Sequence, residues 1–253
     1  MIKSTLLPAA FILLLLCPSL ALAQLSLKNG RLEYKAGGAL HSVEPENGAA
    51  VKVRNSELLF VSINDPEILQ AVKKGPGLFF FDESGALKAH YAGREDFDPE
   101  MCAAASLSPN GKVIALDNGT WLVRVWTFLN YPGMEPVNPA VEEPFISYLS
   151  GEDGQDLIWV DDNTVAVTDI SEAPVSRPCP ADPCEPFDVV IHALRPWNSS
   201  ALAKGSELCN YRLKAVEGRN AVVEKVCAKE IEDWGEAEGP RTISRETLTI
   251  PRN

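Results

Sequence analysis

The segment 103–128 alternates between short apolar runs and residues that form turns. In its last run, 121–128, successive side chains fall on opposite faces of a strand, and a period of two is the signature of β-structure. The two turns contain Pro109-Asn110-Gly111 and Asn118-Gly119, which preset or tolerate the backbone angles of tight turns. Turns this short join neighbouring antiparallel strands. The segment therefore predicts a three-stranded antiparallel meander.

The same theme of strand, turn and strand recurs along the chain. Further units begin near Leu78, Leu157 and Leu208, and the pairs of runs around Asn29-Gly30 and Gly218 predict hairpins. Because no stretch keeps a helical period, an α/β scaffold with a parallel sheet is disfavoured. We therefore expect an all-β protein, a β-propeller-like stack of antiparallel meanders that forms a single domain over residues 24–253. A β-sandwich or barrel is the alternative.

Three individual elements are predicted from local signals. A short helix is expected to run through Val72, with Asp65 as its cap and Pro66 in its first turn. The segment 187–194 alternates and is expected to be an outer strand with His192 on its solvated face. The segment 242–250 is expected to be the closing strand.

Two motifs resemble known propeller blades. Residues 107–115, Leu-Ser-Pro-Asn-Gly-Lys-Val-Ile-Ala, resemble the blade core of the WD-repeat and TolB-type families, and 159–167 are a looser version. Residues 123–126, Val-Arg-Val-Trp, resemble the strand that ends a WD repeat. Thr127 stands where that repeat usually has Asp, and no Gly-His pair precedes a blade, so the strict WD signature is not met. The resemblance implies a scaffold, commonly one that binds proteins or ligands.

Residues 1–23 have the organisation of a secretory signal peptide. Lys3 precedes an apolar core, and Ala21-Leu22-Ala23 forms a small-x-small end that predicts cleavage before Gln24. The apolar run is too short to span a bilayer. Lipid attachment at Cys17 is disfavoured because the residue before it is not small. We expect a secreted or periplasmic protein with no membrane insertion after signal cleavage.

Acidic residues outnumber basic ones, 35 to 23, which gives a net charge of −12. Such a surface repels phosphate backbones and anionic membranes, so nucleic acid is not an expected partner. A solvated acidic surface is the simplest interpretation of this charge.

The cysteines predict disulfides. Residues equidistant from Gly218 face each other if the hairpin turns there, which pairs Cys209 with Cys227. Cys179 and Cys184 flank a short Pro-containing loop and are expected to form a second bridge, which leaves Cys102 buried beside the central meander. A zinc site or a thioredoxin-like site would need other spacings. Structural disulfides also suit an exported protein.

Catalytic motifs are not evident in the sequence. The three histidines lie far apart, and neither a nucleophile elbow nor a glycine-rich phosphate loop is present. The segment 152–156 is rich in oxygen ligands but lacks the twelve-residue calcium loop, so we expect no metal or cofactor. A carboxylate-based, glycosidase-like hydrolase with its site in the propeller funnel is the alternative function. Its candidate residues, which are equally well explained as turn formers, are Asp82, Asp117, Asp161 and Asp162.

Two tryptophans suggest a contact surface. Trp197 follows Pro196 and Trp234 lies among acidic residues, both in expected loops. Tryptophan in such positions is enriched at binding surfaces, although covering a strand edge explains it equally well. We therefore expect a non-catalytic, exported binding module that recognises a protein or a cell-envelope component, with Trp197 and Trp234 as candidate contacts.

Overall fold

The computed structural model describes residues 25–45, 48–92, 98–118, 123–137, 145–148, 157–170, 186–230 and 240–251. These residues form five antiparallel sheets that follow one another along the chain, numbered here sheet 1 to sheet 5. One short α-helix, α1 (Pro66–Val72), lies between two strands of sheet 2, and a single 3₁₀ turn (Pro99–Met101) precedes sheet 3 in the described residues. The described part of the chain contains no helix long and apolar enough to cross a membrane.

The strand bounds are as follows. Sheet 1 contains β1 (Ser26–Lys28), β2 (Arg31–Ala36) and β3 (Ala39–Val43). Sheet 2 contains β4 (Val51–Lys52), β5 (Leu59–Ile63), β6 (Gly77–Phe81) and β7 (Leu87–Tyr91). Sheet 3 contains β8 (Ala104–Leu107), β9 (Val113–Asp117), β10 (Val123–Asn130), β11 (Glu135–Pro136) and β12 (Phe145–Tyr148). Sheet 4 contains β13 (Ile158–Asp161), β14 (Thr164–Ile170), β15 (Phe187–Leu194) and β16 (Trp197–Ala203). Sheet 5 contains β17 (Cys209–Glu217), β18 (Asn220–Ala228) and β19 (Arg241–Thr249).

Local chemistry explains the first turn and the helix. Asn29 and Gly30 both have positive φ, 51° and 76°, as a two-residue hairpin turn requires. The Asp65 carboxylate accepts hydrogen bonds from the N–H groups of Glu67 (2.7 Å) and Ile68 (3.3 Å), which caps α1. Both elements have the predicted position.

The sheets stack face to face, and β6 shows how. Its side chains alternate between two apolar clusters: Phe79 and Phe81 pack with sheet 1, whereas Leu78 and Phe80 pack with sheet 3. All four side chains are fully buried. A strand covered on both faces must be apolar throughout, which accounts for the continuous run in this segment.

The strand β9 repeats this arrangement one sheet further on. Ile114 and Leu116 pack towards sheet 2, and Val113 and Ala115 pack towards sheet 4. A fourth cluster joins sheets 4 and 5. The successive stacking of antiparallel sheets in chain order is the predicted all-β, propeller-like architecture.

Sheets 1 and 5 end the stack. Their last strands, β3 and β19, are largely exposed, with Leu40 64% and Ile243 65% accessible. No hydrophobic cluster among the described residues joins sheet 1 to sheet 5. The described hydrophobic clusters thus join successive sheets along the chain, from sheet 1 to sheet 5.

The prediction of an outer strand at 187–194 is wrong. The strand β15 pairs with both β14 and β16 and is buried along its whole length. Sheet 4 lies between sheets 3 and 5, so both faces of β15 are covered. His192 is accordingly only 4% exposed, not solvated.

The predicted Cys209–Cys227 disulfide joins β17 to β18, with Cα atoms 4.1 Å apart. Cys102 is a buried thiol whose Sγ lies 3.6 Å from the Ala104 carbonyl oxygen. The proposed partners Cys179 and Cys184 lie outside the described residues, so their pairing stays a prediction.

A candidate binding cleft

Turns of sheets 3, 4 and 5 contact one another at one end of the stack. The Asn110 N–H, in the β8–β9 turn, donates to the Asp162 carboxylate in the β13–β14 turn at 2.8 Å. Arg195, in the β15–β16 turn, donates through Nη2 to Oδ1 of Asn130 at the end of β10. Arg219, in the β17–β18 turn, reaches the Asp161 carboxylate at 3.7 Å. These contacts connect the three sheets into one rim.

Between sheets 4 and 5 this rim encloses an open cleft of about 440 Å³. Two guanidinium groups, two side-chain amides, one hydroxyl and one carboxylate line it together with small apolar groups. The lining residues are Asp161, Asn163, Thr164, Ala193, Arg195, Pro196, Asn198, Arg219 and Pro251. The cleft thus combines polar and apolar groups, and its volume lies in the range of small-molecule sites, about 300–1,000 Å³.

The backbone of the Arg195 turn is held by the neighbouring turn. Asn163 donates from Nδ2 to the Arg195 carbonyl oxygen at 2.8 Å, and the carbonyl oxygen of Asn163 accepts from the Leu194 N–H at 2.8 Å. Asn163 is itself oriented by Asp161, whose carboxylate accepts the Asn163 N–H at 2.9 Å. The two turns of sheet 4 therefore position each other.

Arg219 fastens the C-terminal segment to the rim. Its Nε donates to the Ile250 carbonyl oxygen at 3.3 Å, and its Nη2 donates to the Pro251 carbonyl oxygen. The remaining contact, to Asp161, leaves the Arg219 side chain 37% exposed. Arg219 therefore has a structural role and still presents charge to the cleft.

Trp197 lies beside the cleft but not in a loop, contrary to expectation. It is the first residue of β16, is half-buried, and packs against the cluster between sheets 3 and 4. Its ring stacks on that of His192 with centroids 5.5 Å apart. Burial lowers the pKa of His192 to about 4, so the imidazole is neutral near pH 7. Whether Trp197 contacts a partner stays a prediction, and Trp234 lies outside the described residues.

The four candidate carboxylates do not converge. Asp82 binds Lys88 at 2.8 Å, and this contact together with the Ser84 hydroxyl holds the pKa of the Asp82 carboxyl well below its usual range. Asp117 is fully buried at the end of β9. Asp162 accepts the Asn110 N–H, and Asp161 is the member of this group that lines the cleft.

Potential metal ligands and histidines form no further cluster of reactive side chains in the part of the chain described. No group of three or more His, Cys, Asp or Glu side chains is placed to hold a metal ion there. His41 stacks on Tyr34, and His90 contacts the Gly75 carbonyl oxygen at 2.9 Å. Both histidines therefore have local structural contacts.

Sequence reasoning missed the two arginines of the cleft. Each occupies a two-residue turn, Arg195 between Leu194 and Trp197 and Arg219 between Glu217 and Asn220. The available signal was an arginine in the tight turn of each of two successive hairpins. That signal does not show that the two turns meet.

No family model matches the sequence, and no curated protein matches it either. Among solved structures, the tricorn protease is similar at 11% identity and a TM-score of 0.46, over 80% of this chain and 18% of that one. Hydrazine synthase of Kuenenia stuttgartiensis is similar at 11% identity and a TM-score of 0.40, over 87% and 57%. TolB of Acinetobacter baumannii is similar at 12% identity and a TM-score of 0.31, over 87% and 51%. The chain thus spans less than two thirds of each of these proteins, and likenesses this distant carry no information about activity.

Proposed function

We propose that this protein is an exported binding module that recognises a protein or a cell-envelope component at the rim formed by sheets 3, 4 and 5. The observation that carries the proposal is the cleft between sheets 4 and 5, which polar and apolar groups line together. The cleft is concave, and hydrogen bonds between turns orient Asn163 and Arg195 in its lining. Turns on a rigid scaffold are the usual place for recognition residues.

A binding role suits the chemistry of the cleft better than hydrolysis does. A glycosidase-like mechanism needs two carboxylates about 5–9.5 Å apart in one site. The described lining of the cleft contains one carboxylate, Asp161, and that group contacts Arg219. The hydrolase alternative therefore has no specific support in this cleft.

Export is supported by the Cys209–Cys227 disulfide, because such bridges persist in oxidising compartments. The predicted signal peptide, 1–23, lies outside the described residues. Mass spectrometry of the protein recovered from the periplasm or medium would test this part, with a mature N-terminus at Gln24 expected.

The binding proposal is tested by filling the cleft. Asn198 lines it and is exposed on β16, so Asn198→Trp should obstruct the cleft without opening the core. Leu40→Trp, at a similarly exposed site on β3, is the matched control. We expect saturable binding of the purified protein to envelope fractions of the source cells. Asn198→Trp should weaken that binding at least about tenfold, whereas Leu40→Trp should not. Equal binding by all three proteins, or none that saturates, would refute the proposal.

A further inference from the structure

The charges of the cleft indicate what kind of group it binds. We infer that it takes a singly charged oxyanion, the carboxylate of a small hydrophilic molecule or chain end, held by the guanidinium group of Arg195 with Arg219 as a second cation. This inference rests on the proposed function, because it names the ligand chemistry of the same cleft.

The first argument is that Arg195 has no acidic ion-pair partner among the described residues. Within the part of the chain that the structure describes, no carboxylate lies within ion-pair distance of Arg195, whereas Arg31 pairs with Glu44 at 2.9 Å and Arg219 with Asp161 at 3.7 Å. The protein carries 35 acidic residues against 23 basic ones, yet none of the described carboxylates pairs with this arginine. Its charge is available to a ligand.

The second argument is that the Arg195 side chain is positioned in advance. The Oδ1 atom of Asn130 accepts a hydrogen bond from Nη2 of Arg195. The Nδ2 group of Asn130 donates to the carbonyl oxygens of Glu135 and Pro136, both at 3.1 Å, which fixes the amide with its oxygen towards Arg195. A guanidinium group has five N–H donors, so most remain for a ligand that can accept two parallel hydrogen bonds.

The third argument concerns the number of charges on the ligand. Two arginines and one aspartate line the cleft, which leaves one positive charge for a ligand to neutralise. A carboxylate does so, whereas a phosphate dianion would introduce an excess negative charge beside Asp161 in a protein whose net charge is already −12. The nearby Asn163, Asn198 and Thr164 supply neutral hydrogen-bonding groups, which suits a hydrophilic remainder of the ligand.

The test uses acetate as the probe and the arginine Nε–H resonances as the readout. At constant ionic strength near pH 7.5, acetate should produce a saturable shift at Arg195 and a smaller one at Arg219, and phosphate should bind more weakly. Arg195→Gln should weaken acetate binding at Arg219 about tenfold. The same loss is expected from Asn130→Asp, which keeps Arg195 but gives it a carboxylate partner.

Arg31→Gln is the matched control, because Arg31 lies in sheet 1 and is already paired with Glu44. It should leave acetate binding unchanged. A linear, unsaturable shift at Arg195 equal to that at Arg31, or tighter binding of phosphate than of acetate, would overturn the inference.

The two proposals fail differently. If Asn198→Trp abolishes envelope binding but acetate neither binds Arg195 nor competes, the rim is a binding surface and the carboxylate inference is wrong. If acetate saturates Arg195 but no envelope fraction binds, the carboxylate site stands and the proposed recognition of the envelope is wrong.

Discussion

At the scale of single residues, His192 shows how burial changes a side chain's chemistry. It is 4% exposed, stacks on Trp197, and has a pKa lowered to about 4 because burial penalises its charged form. The unfolded chain has a histidine pKa of about 6.5. The unfolded state therefore binds a proton between these two values while the folded state does not.

We expect this difference to make stability depend on pH. Above pH 6.5 the histidine is neutral in both states, and its contribution to stability is fully present. As the pH falls from 6.5 towards 4, that contribution is lost, by an amount on the order of 3 kcal/mol. Urea unfolding of the wild type and of His192→Phe at pH 7 and pH 4 measures it, since the variant keeps an aromatic ring against Trp197. If the two proteins lose equal stability over this interval, the histidine does not cause the effect.

At the scale of elements, the β17–β18 hairpin combines an irregular register with a covalent link. The turn consists of Gly218 and Arg219, and a bulge between Leu213 and Ala215 shifts the pairing by one residue. This shift brings Cys209 opposite Cys227, where the disulfide forms. The prediction that placed the centre of the hairpin at Gly218 reached the correct pair because the bulge compensates for the two-residue turn.

Removal of this disulfide should destabilise the protein. We expect the double variant Cys209→Ala/Cys227→Ala to lose about 2–4 kcal/mol of unfolding free energy, because the bridge restricts the unfolded chain. Unfolding in urea, with and without dithiothreitol, measures the change. The wild type should lose more stability in reductant than the double variant does, by about the same 2–4 kcal/mol. A reductant effect of equal size in both proteins would assign it to another bond.

At the scale of the whole molecule, the sheets are joined mainly by apolar faces, and a few close backbone contacts fix their spacing. Between sheets 1 and 2, the Leu27 N–H donates to the Gly85 carbonyl oxygen at 2.9 Å. Gly85 has a φ of +78°, and a Cβ there would lie 2.0 Å from the Leu27 carbonyl oxygen. The close contact between sheets 1 and 2 thus depends on the absence of a side chain at Gly85.

Gly85→Ala should therefore separate sheet 1 from sheet 2. We expect a loss of at least about 2 kcal/mol, from backbone strain together with the steric clash. Gly30→Ala is the matched control, because its φ is +76° but nothing lies within 4 Å of the added Cβ. That variant should lose only about 1 kcal/mol. Urea unfolding of both variants makes the comparison, and equal losses would show that the close approach at Gly85 has no energetic importance.

The features that the sequence determined by itself are those set by interactions over a few residues. Asn29-Gly30 forms its hairpin turn and Asp65 caps α1, because turn geometry and capping hydrogen bonds involve only near neighbours. The period of two identified the strands, and short turns made them antiparallel. An all-β, propeller-like stack followed from these local signals.

The tertiary structure alone decided what covers each face and which turns meet. The alternation in β15 indicates two different faces, but only the packing of sheet 4 between sheets 3 and 5 buries both of them, along with His192. The cleft brings together Asp161, Arg195 and Arg219 from three separate hairpins. Their proximity depends on how whole sheets stack. This stacking results from many weak apolar contacts, so no single segment of the chain determines it.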